Sequence, residues 1–300
     1  MYDLTQLKTF IAVVQEQHLT RASERLHISQ PTASHHIRAL EEHFGVPLFR
    51  RTARGLEVTS HGERIAEWAG NVVQASHELD QRARDLAGLP SGRLAIGTIS
   101  HEQLMEPLSA AARAVRERFT LTELAIEAGN TWTIRQAIKS GELDAGVVVG
   151  TVRNDELKCY PLGTLDYVLT GPSAWRDRLE KARATQIASM PWIVTGRGTP
   201  SHELIEGLFT AEGLDVKVAV EVNNAALLRG LVAGEVGIGF MRHDEALAGV
   251  EDGRYCMLPR FRASLPLTFV HQQSRSSDTV LCAFVETLTA RWAQACRTPA

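Results

Sequence analysis

What the chain lacks narrows it first. No apolar run approaches the ~18 residues of a membrane-spanning helix, so no membrane partner is expected. The opening MYDLTQLKTF has no basic stretch leading into an apolar block. No signal peptide is visible, and a cytoplasmic protein is expected. Cysteine is scarce, with Cys159, Cys256, Cys282 and Cys296 widely spaced and no C-x-x-C pair. Reduced thiols are expected rather than a disulfide or zinc site. Strong charge is missing too: a formal net charge of −3 gives no bulk-charge argument for a polyanion partner. Catalytic clusters are equally hard to find. Gly237-Ile238-Gly239 is apolar on both sides and reads as strand, not phosphate loop. His202-Glu203 lacks the second His of a zinc-protease helix, and His101, His202 and His243 are scattered. The reading is a non-enzyme with no catalytic residue, no metal ligand and no cofactor. What is abundant is core-forming residue: 44% of 300 are hydrophobic, enough for two or three domains.

The most informative stretch is residues 19–44, LTRASERLHISQPTASHHIRALEEHF. It reads as two short helices joined by a tight turn. Ala22 and Leu26 share one face of the first. Ala33, Ile37, Leu40 and Phe44 make an apolar stripe on the second. Ser29 suits the N-cap of the second helix, Pro31 falls in its first turn, and Thr20 is a candidate cap for the first. Pro31, His35, Arg38 and Glu42 point away from the stripe, bordered by Gln30, Thr32 and Ser34. Such side chains bond base edges and phosphates, and a recognition helix presents them from its N-terminal half. Charge supports this only weakly. Residues 1–60 hold seven Lys and Arg (Lys8, Arg21, Arg25, Arg38, Arg50, Arg51, Arg54) against six Asp and Glu. Placement matters more than the sum, since three of those arginines crowd into residues 50–54.

Residues 4–16 carry Leu4, Leu7, Ile11 and Val14, with Phe10 beside them, and predict an amphipathic helix closing a three-helix core. Gly45 stops the second hairpin helix. Val46–Phe49 and Leu56–Val58 then read as short strands around Ala53-Arg54-Gly55, a wing with arginines at tip and base. Ser60-His61-Gly62-Glu63 reads as a capping box opening a helix to about Ala87. Ile65, Val72, Leu79 and Leu86 recur every seventh residue, with Trp68/Ala69, Ala75/Ser76 and Ala83 between them. That seam predicts dimerisation through a long linker helix. Gly88-Leu89-Pro90-Ser91-Gly92 breaks it. Beyond the break, strands alternate with helices, which predicts parallel sheets covered on both faces. The strands are read at 93–99, 121–127, 144–149, 165–170, 191–195, 217–222, 236–241 and 265–270. The last helix is read at 277–295.

These residues resemble the LysR-type transcriptional regulators. The resemblance is carried by Phe10–Val14, Leu19–Ala22, Leu26-His-Ile-Ser-Gln-Pro31, Ser34–Ile37, Leu40–Glu42, Gly45–Phe49, Arg50 to Arg54 and Leu56 to Gly62. More loosely it is carried by residues 130–149 and 232–241. It implies an α+β/α/β multidomain chain: an N-terminal winged helix-turn-helix, a long linker helix, and a two-lobed α/β effector domain like a periplasmic binding protein. The implied bounds are 1–60 for the DNA-binding domain and 61–88 for the linker. Lobe I would be 91–162 plus 268–300, and lobe II 163–267. The implied function is sequence-specific binding of double-stranded promoter DNA at an interrupted inverted repeat. A dimer through the linker, and a tetramer of two dimers, would do the binding, with RNA polymerase a further candidate partner. Ser29, Gln30, Pro31, Thr32, Ser34, His35 and Arg38 would face the major groove, and Arg50, Arg51 and Arg54 would make the wing contacts. Many relatives carry Arg or Lys where this chain has His35, and a neutral imidazole makes no fork to guanine.

By the same resemblance a small-molecule effector lies between the lobes and modulates promoter binding. Strand C-termini and helix N-termini converge there, which suits a carboxylate or another anion. The residues implied are Ser100, His101, Asn130, Thr131, Thr199, Ser201, His202, Asn223 and Phe240. Some relatives carry Gly-Ser-Gly-Thr-Arg in the lobe II loop, where this chain has Gly198-Thr-Pro-Ser-His202. Thr195 also stands where those relatives often have arginine, so a strongly charged anion fits poorly. The alternative reading is a cytosolic solute receptor without specific DNA recognition, for which the capped hairpin and arginine wing would have no use. A thiol sensor of the family would use two cysteines in lobe II, where only Cys256 lies.

Overall fold

The computed structural model describes residues 2–52, 55–86, 92–152, 154, 156–196 and 198–295. Two compact units emerge: residues 1–96, 115–125 and 136–144 form one, and residues 97–114, 126–135 and 145–300 the other.

The chain opens with α1 (Leu4–Glu16), α2 (Leu19–Arg25) and α3 (Gln30–Phe44). α1 is closed at its start by a reciprocal pair: the Asp3 carboxylate accepts from Gln6 N–H, and the Gln6 side chain accepts from Asp3 N–H. Its buried stripe is Leu7, Phe10, Ile11 and Val13 rather than the expected one, for Leu4 is exposed and Val14 half-buried. Phe10 decides this shift, because its ring meets Phe49 edge-on at 5.7 Å. Ala22, Ile37, Leu40 and Leu48 complete the core, each large side chain contributing about 1.5–3 kcal/mol by burial. Thr20 is not the cap of α2: the helix begins at Leu19 with His18 at its N-cap, two residues earlier than expected, and with no side-chain bond there. Ser29 does cap α3, accepting from Thr32 N–H at 3.2 Å.

The wing is β1 (Phe49–Thr52) and β2 (Gly55–Val58), paired antiparallel. Residues 46–48 are not strand as expected. The Glu41 carboxylate reaches over from α3 and accepts from Leu48 N–H at 2.8 Å, holding them as a connector. The linker helix α4 runs Ser60–Leu86. Its cap is Thr59, not Ser60: the Thr59 hydroxyl accepts from Gly62 N–H at 3.0 Å, so the register is one residue earlier than the capping box implied. α4 has two apolar faces. Ala69 and Val73 are buried against the N-terminal core, with Ile65 and Ala66 beside them. Trp68, Val72 and Leu79 are 55%, 42% and 68% exposed. Trp68 and Val72 line a groove of about 440 Å³ with Tyr2, Phe44 and Val46.

Then follow β3 (Arg93–Thr98), α5 (Met105–Arg118), β4 (Glu123–Ala128), α6 (Thr131–Lys139), β5 (Ala145–Val149), β6 (Leu157–Pro172), α7 (Arg176–Lys181), α8 (Ala184–Ala188) and β7 (Trp192–Thr195). α9 (Pro200–Leu208), β8 (Val218–Val222), α10 (Ala225–Ala233), β9 (Gly239–Arg242), α11 (His243–Glu251), β10 (Tyr255–Gln272) and α12 (Thr279–Ala295) complete the fold. One six-stranded sheet has the order β4-β3-β5-β10-β6-β9, and β7-β8 form a second, parallel one. The expectation of parallel sheets throughout is corrected here, since β5–β10, β10–β6 and β6–β9 are all antiparallel. The cause is the length of β6 and β10. They were read only as short strands at 165–170 and 265–270, whereas they run Leu157–Pro172 and Tyr255–Gln272. The pairing shifts register between Leu258 and Arg262 and between Leu267 and Thr268. A bulge of this kind tolerates proline, so the two strands continue past it.

Candidate functional site

α3 presents two unlike faces. Ala33, Ile37 and Leu40 are buried, while Ser29, Gln30, Pro31, Thr32, His35 and Arg38 are exposed and Ser34 is half-buried. Ser29 and Thr32 bond each other through their hydroxyls at 2.7 Å. Gln30, His35 and Arg38 have no hydrogen bond or ion pair among the described residues. The neighbouring histidine behaves differently: His36 Nδ1 lies 2.9 Å from the Thr9 hydroxyl and ties α3 to α1. On the wing, Arg50 sits opposite Glu57, and its Nη2 is 2.8 Å from that carboxylate. Much of its charge is met within the hairpin. The Arg51 side chain and Arg54 lie outside the described residues.

The effector-domain residues fall at strand ends and helix starts, and most of their polar atoms are already engaged. Ser100 is exposed, and its carbonyl accepts from Arg242 Nη1 at 2.7 Å. Asn130 caps the first turn of α6, accepting from Thr133 N–H, and its Nδ2 donates to the Asn223 carbonyl at 3.3 Å. Thr131 is buried, with its hydroxyl accepting from Val149 N–H at 3.0 Å. Thr199 Oγ1 lies 2.7 Å from Thr195 Oγ1 and donates to the Gly196 carbonyl. His202 Nε2 is 3.1 Å from Glu206, one turn along α9. Phe240 is a core residue, tilted against Trp192 at 5.8 Å. His101 and Ser201 are the exceptions: both are buried, and their side-chain polar atoms have no partner among the described residues.

The electrostatics of this region rest on Arg242 and on Asp244, Glu245 and Glu203, which the motif reading missed. Arg242 is largely buried and held by Asp244 and Glu245, with its Nη2 2.9 Å and 3.3 Å from them. Burial works against its charge, but the Asp244 hydrogen bonds and the Glu245 charge outweigh it and raise its pKa. Burial, and then the Arg242 charge, lower the pKa of His101, so its ring is neutral near pH 7. Glu203 on α9 accepts from Thr151 N–H at 3.2 Å and from the Thr151 hydroxyl at 2.7 Å. Gly150, at φ +94°, makes room, since a Cβ there would stand 2.2 Å from a Glu203 oxygen. No periodicity signalled Glu203. Its acidic position in the first turn of α9 was the one visible cue.

Two family descriptions cover nearly all of the chain. The LysR substrate binding domain matches residues 87–293, and the bacterial regulatory helix-turn-helix protein, lysR family, matches residues 4–63. The chain belongs to the LysR family of transcriptional regulators. It is 35% identical over 142 residues to BudR of Klebsiella aerogenes, spanning 47% of this chain and 99% of that one. It is 28% identical over 306 residues to ClcR of Pseudomonas putida, spanning 97% of this chain and 100% of the relative. Among solved structures it shares its fold with a full-length BenM mutant, at a TM-score of 0.52 and 20% identity over 99% of each chain. The full-length LysG of Corynebacterium glutamicum with bound effector Arg also has a TM-score of 0.52, at 18% identity over 97% of this chain and 98% of that one.

This LysR-family chain is therefore a DNA-binding transcriptional regulator: an N-terminal helix-turn-helix, a helical linker and a two-lobed α/β effector domain. Among the described residues no group of His, Cys, Asp or Glu could hold a metal ion, and no helix is long and apolar enough to cross a membrane. Cys159, Cys256 and Cys282 are free thiols, and burial raises the pKa of each. Cys256 is buried and lies 3.2 Å from the Pro172 carbonyl. Cys296 lies outside the described residues.

Proposed function

We propose that this regulator reads an interrupted inverted repeat in promoter DNA as a dimer, or a pair of dimers, and that a small metabolite between the lobes sets how it binds. Gln30, Pro31, Thr32, Ser34, His35 and Arg38, with Ser29 at the cap, face the major groove. Arg50, Arg51 and Arg54 approach the backbone. The observation that carries this reading is the bare polar face of α3. Gln30, His35 and Arg38 are exposed, and their side chains have no partner among the described residues, while the opposite face is buried. A helix held so firmly on one side and unspent on the other is built for an external acceptor. The exposed Trp68, Val72 and Leu79 support pairing through α4. The domain bounds that go with this reading are 1–60, 61–88, 91–162 with 268–300, and 163–267.

The effector acts by population shift. A ligand that prefers one arrangement of the lobes changes dimer packing and the bend of the bound DNA. A coupling of about 1–3 kcal/mol gives roughly 5–150-fold control. The chain works in the cytosol without catalysis, with RNA polymerase a further partner at the promoter. The raised thiol pKa values argue against thiolate sensing.

Capture of fragmented genomic DNA by the purified full chain at physiological salt tests the reading. A few sharp peaks sharing an interrupted inverted repeat are expected. Sequence-blind recovery that vanishes with modest salt would leave only charge-driven binding. It would make the solute receptor the better description.

A further inference from the structure

One ion pair ties the DNA-binding domain to the effector domain of the same chain. Arg25, in the last turn of α2, divides its guanidinium between two sets of partners. Nη1 lies 2.7 Å from the Gln15 side-chain oxygen and 3.2 Å from the Glu16 carboxylate, at the end of α1. Nη2 meets the Glu142 carboxylate, in the turn between α6 and β5. The linker helix comes to the same place. A Cβ added at Gly70 of α4 would stand 3.7 Å from the carbonyl of Lys139, the last residue of α6. All these residues belong to one compact unit, residues 1–96, 115–125 and 136–144.

Glu142 sits on a rigid frame. Its own N–H and that of Leu143 both donate to the Ala137 carbonyl, at 2.9 Å and 3.0 Å. Gly141, at φ +73°, lets the chain reverse there. Leu143 is buried, and the Asp144 carboxylate accepts from Ala95 N–H at 2.7 Å, which pins the turn to β3. On the other side α2 packs on α1 and α3. The pair therefore joins two firm bodies rather than two loops. One guanidinium also serves two carboxylates, Glu16 and Glu142. Without it, two like charges would stand near each other uncompensated.

This docking leaves the DNA face open. Gln30, His35 and Arg38 are exposed with the pair in place, so the pair positions the domain and does not block it. Both side chains are partly open to water, so the pair adds little stability. Its consequence is geometric. Two DNA-binding domains on firm mounts have a high effective concentration for half-sites at one separation, whereas loosely carried ones accept a range.

We propose that Arg25 and Glu142 are positioning residues: they fix the DNA-binding domain on the effector domain and so set the half-site spacing that the dimer accepts. This rests on the dimeric DNA reading above and adds what determines the spacing.

The test uses the full chain and duplexes built on the captured inverted repeat. They carry the native spacing, spacings changed by one or two base pairs, and a single half-site. Glu142→Gln should leave single half-site affinity unchanged and lower the preference for native spacing by about three- to tenfold. Glu142→Lys should lower it further, and Glu142→Asp should keep part of it. In an Arg25→Gln background, Glu142→Gln should change nothing more. Melting gives a second readout that needs no DNA. Glu142 lies outside the N-terminal domain, yet Glu142→Gln should lower that domain's transition by about 1–5 °C at low salt, and by less at high salt. The proposal fails if Glu142→Lys keeps the full spacing preference, if all duplexes weaken alike, or if neither variant moves the N-terminal transition. Capture that returns no inverted repeat sinks the underlying reading and the spacing role with it. A clear repeat whose spacing preference ignores Glu142 sinks this proposal alone.

Discussion

The recognition helix and the effector domain treat their polar residues in opposite ways. On α3 the exposed face is unspent: the side chains of Gln30, His35 and Arg38 have no hydrogen bond or ion pair among the described residues. In the effector domain Thr131, Thr199, Asn130 and the Ser100 carbonyl are all taken by the backbone or by a neighbouring side chain. A DNA surface has to be presented to a partner larger than the protein, so it stays bare. A ligand site must first survive as an interior, so its polar groups are mostly satisfied from within. The teaching is that a polar residue at a strand end is evidence of a turn before it is evidence of a ligand. His101 and Ser201 differ from the rest of that set, since their side-chain polar atoms have no partner among the described residues.

The comparison can be broken first at its base. Phe10→Ala should remove about 3–5 kcal/mol from the N-terminal domain, since Phe10 is wholly buried and braces Phe49. Specific DNA binding should vanish while the effector-domain melting transition stays in place. Loss of both transitions together would mean that the two regions are not separable in stability.

Next in size is the bare face itself. Arg38→Ala should cost about 1–3 kcal/mol for the specific site and relax its base preference. Arg50→Ala should cost less and weaken all sequences alike, because Glu57 already meets its charge. Glu57→Gln should then strengthen sequence-blind binding and steepen its salt dependence. Titrations against specific and scrambled duplexes at several salt concentrations read all three. Equal loss of specificity in Arg38→Ala and Arg50→Ala would overturn the division of roles.

The spent polar groups of the effector domain should answer in stability instead. Glu203→Gln keeps the shape but weakens charge-assisted bonds to Thr151, and should cost about 1–2 kcal/mol in that domain's melting. Asn224→Ala removes the cap of α10, where the Asn224 side chain accepts from Leu227 N–H at 2.9 Å, and should cost about 1 kcal/mol. Neither should alter DNA affinity in the absence of ligand. A change there would show that the two regions are coupled even when the ligand is missing.

Much of this was legible beforehand, and unevenly so. The helix-turn-helix could be read because its stripe, its Ser29 cap and its Gly45 stop are local features with a 3.6-residue period. The errors there were small ones of register: Thr59 rather than Ser60 caps α4, and α1 buries Phe10 rather than Leu4. The sheet was read less well. β6 and β10 are long because each pairs with the other, a non-local cause that no local pattern reports. In the effector domain the residue list falls at strand ends and helix starts, but sequence alone could not tell a spent hydroxyl from a free one. That distinction depends on which carbonyl lies across a loop. Glu203, and Asp244 and Glu245 as the partners of Arg242, escaped for the same reason, since their pairings lie far away in sequence or depend on how a strand end turns.

The smallest effect separates the histidines of the two regions. His35 is exposed on α3, whereas His101 and His271 are buried in the effector domain. Burial lowers the pKa of both, in His101 with help from Arg242, and in His271 partly offset by its bond to the Gln272 carbonyl. A histidine whose folded pKa is depressed takes up its proton more readily when the chain is unfolded. The stability it contributes is fully present above the unfolded value of about 6.5 and is lost as pH falls through the folded one. Effector-domain melting should therefore decline from about pH 6.5 downward, by at most about 1.4 kcal/mol per pH unit for each proton taken up. His101→Gln and His271→Gln should each flatten that slope, and the double variant more than either. If neither variant flattened the slope, burial of these two rings would not be its cause.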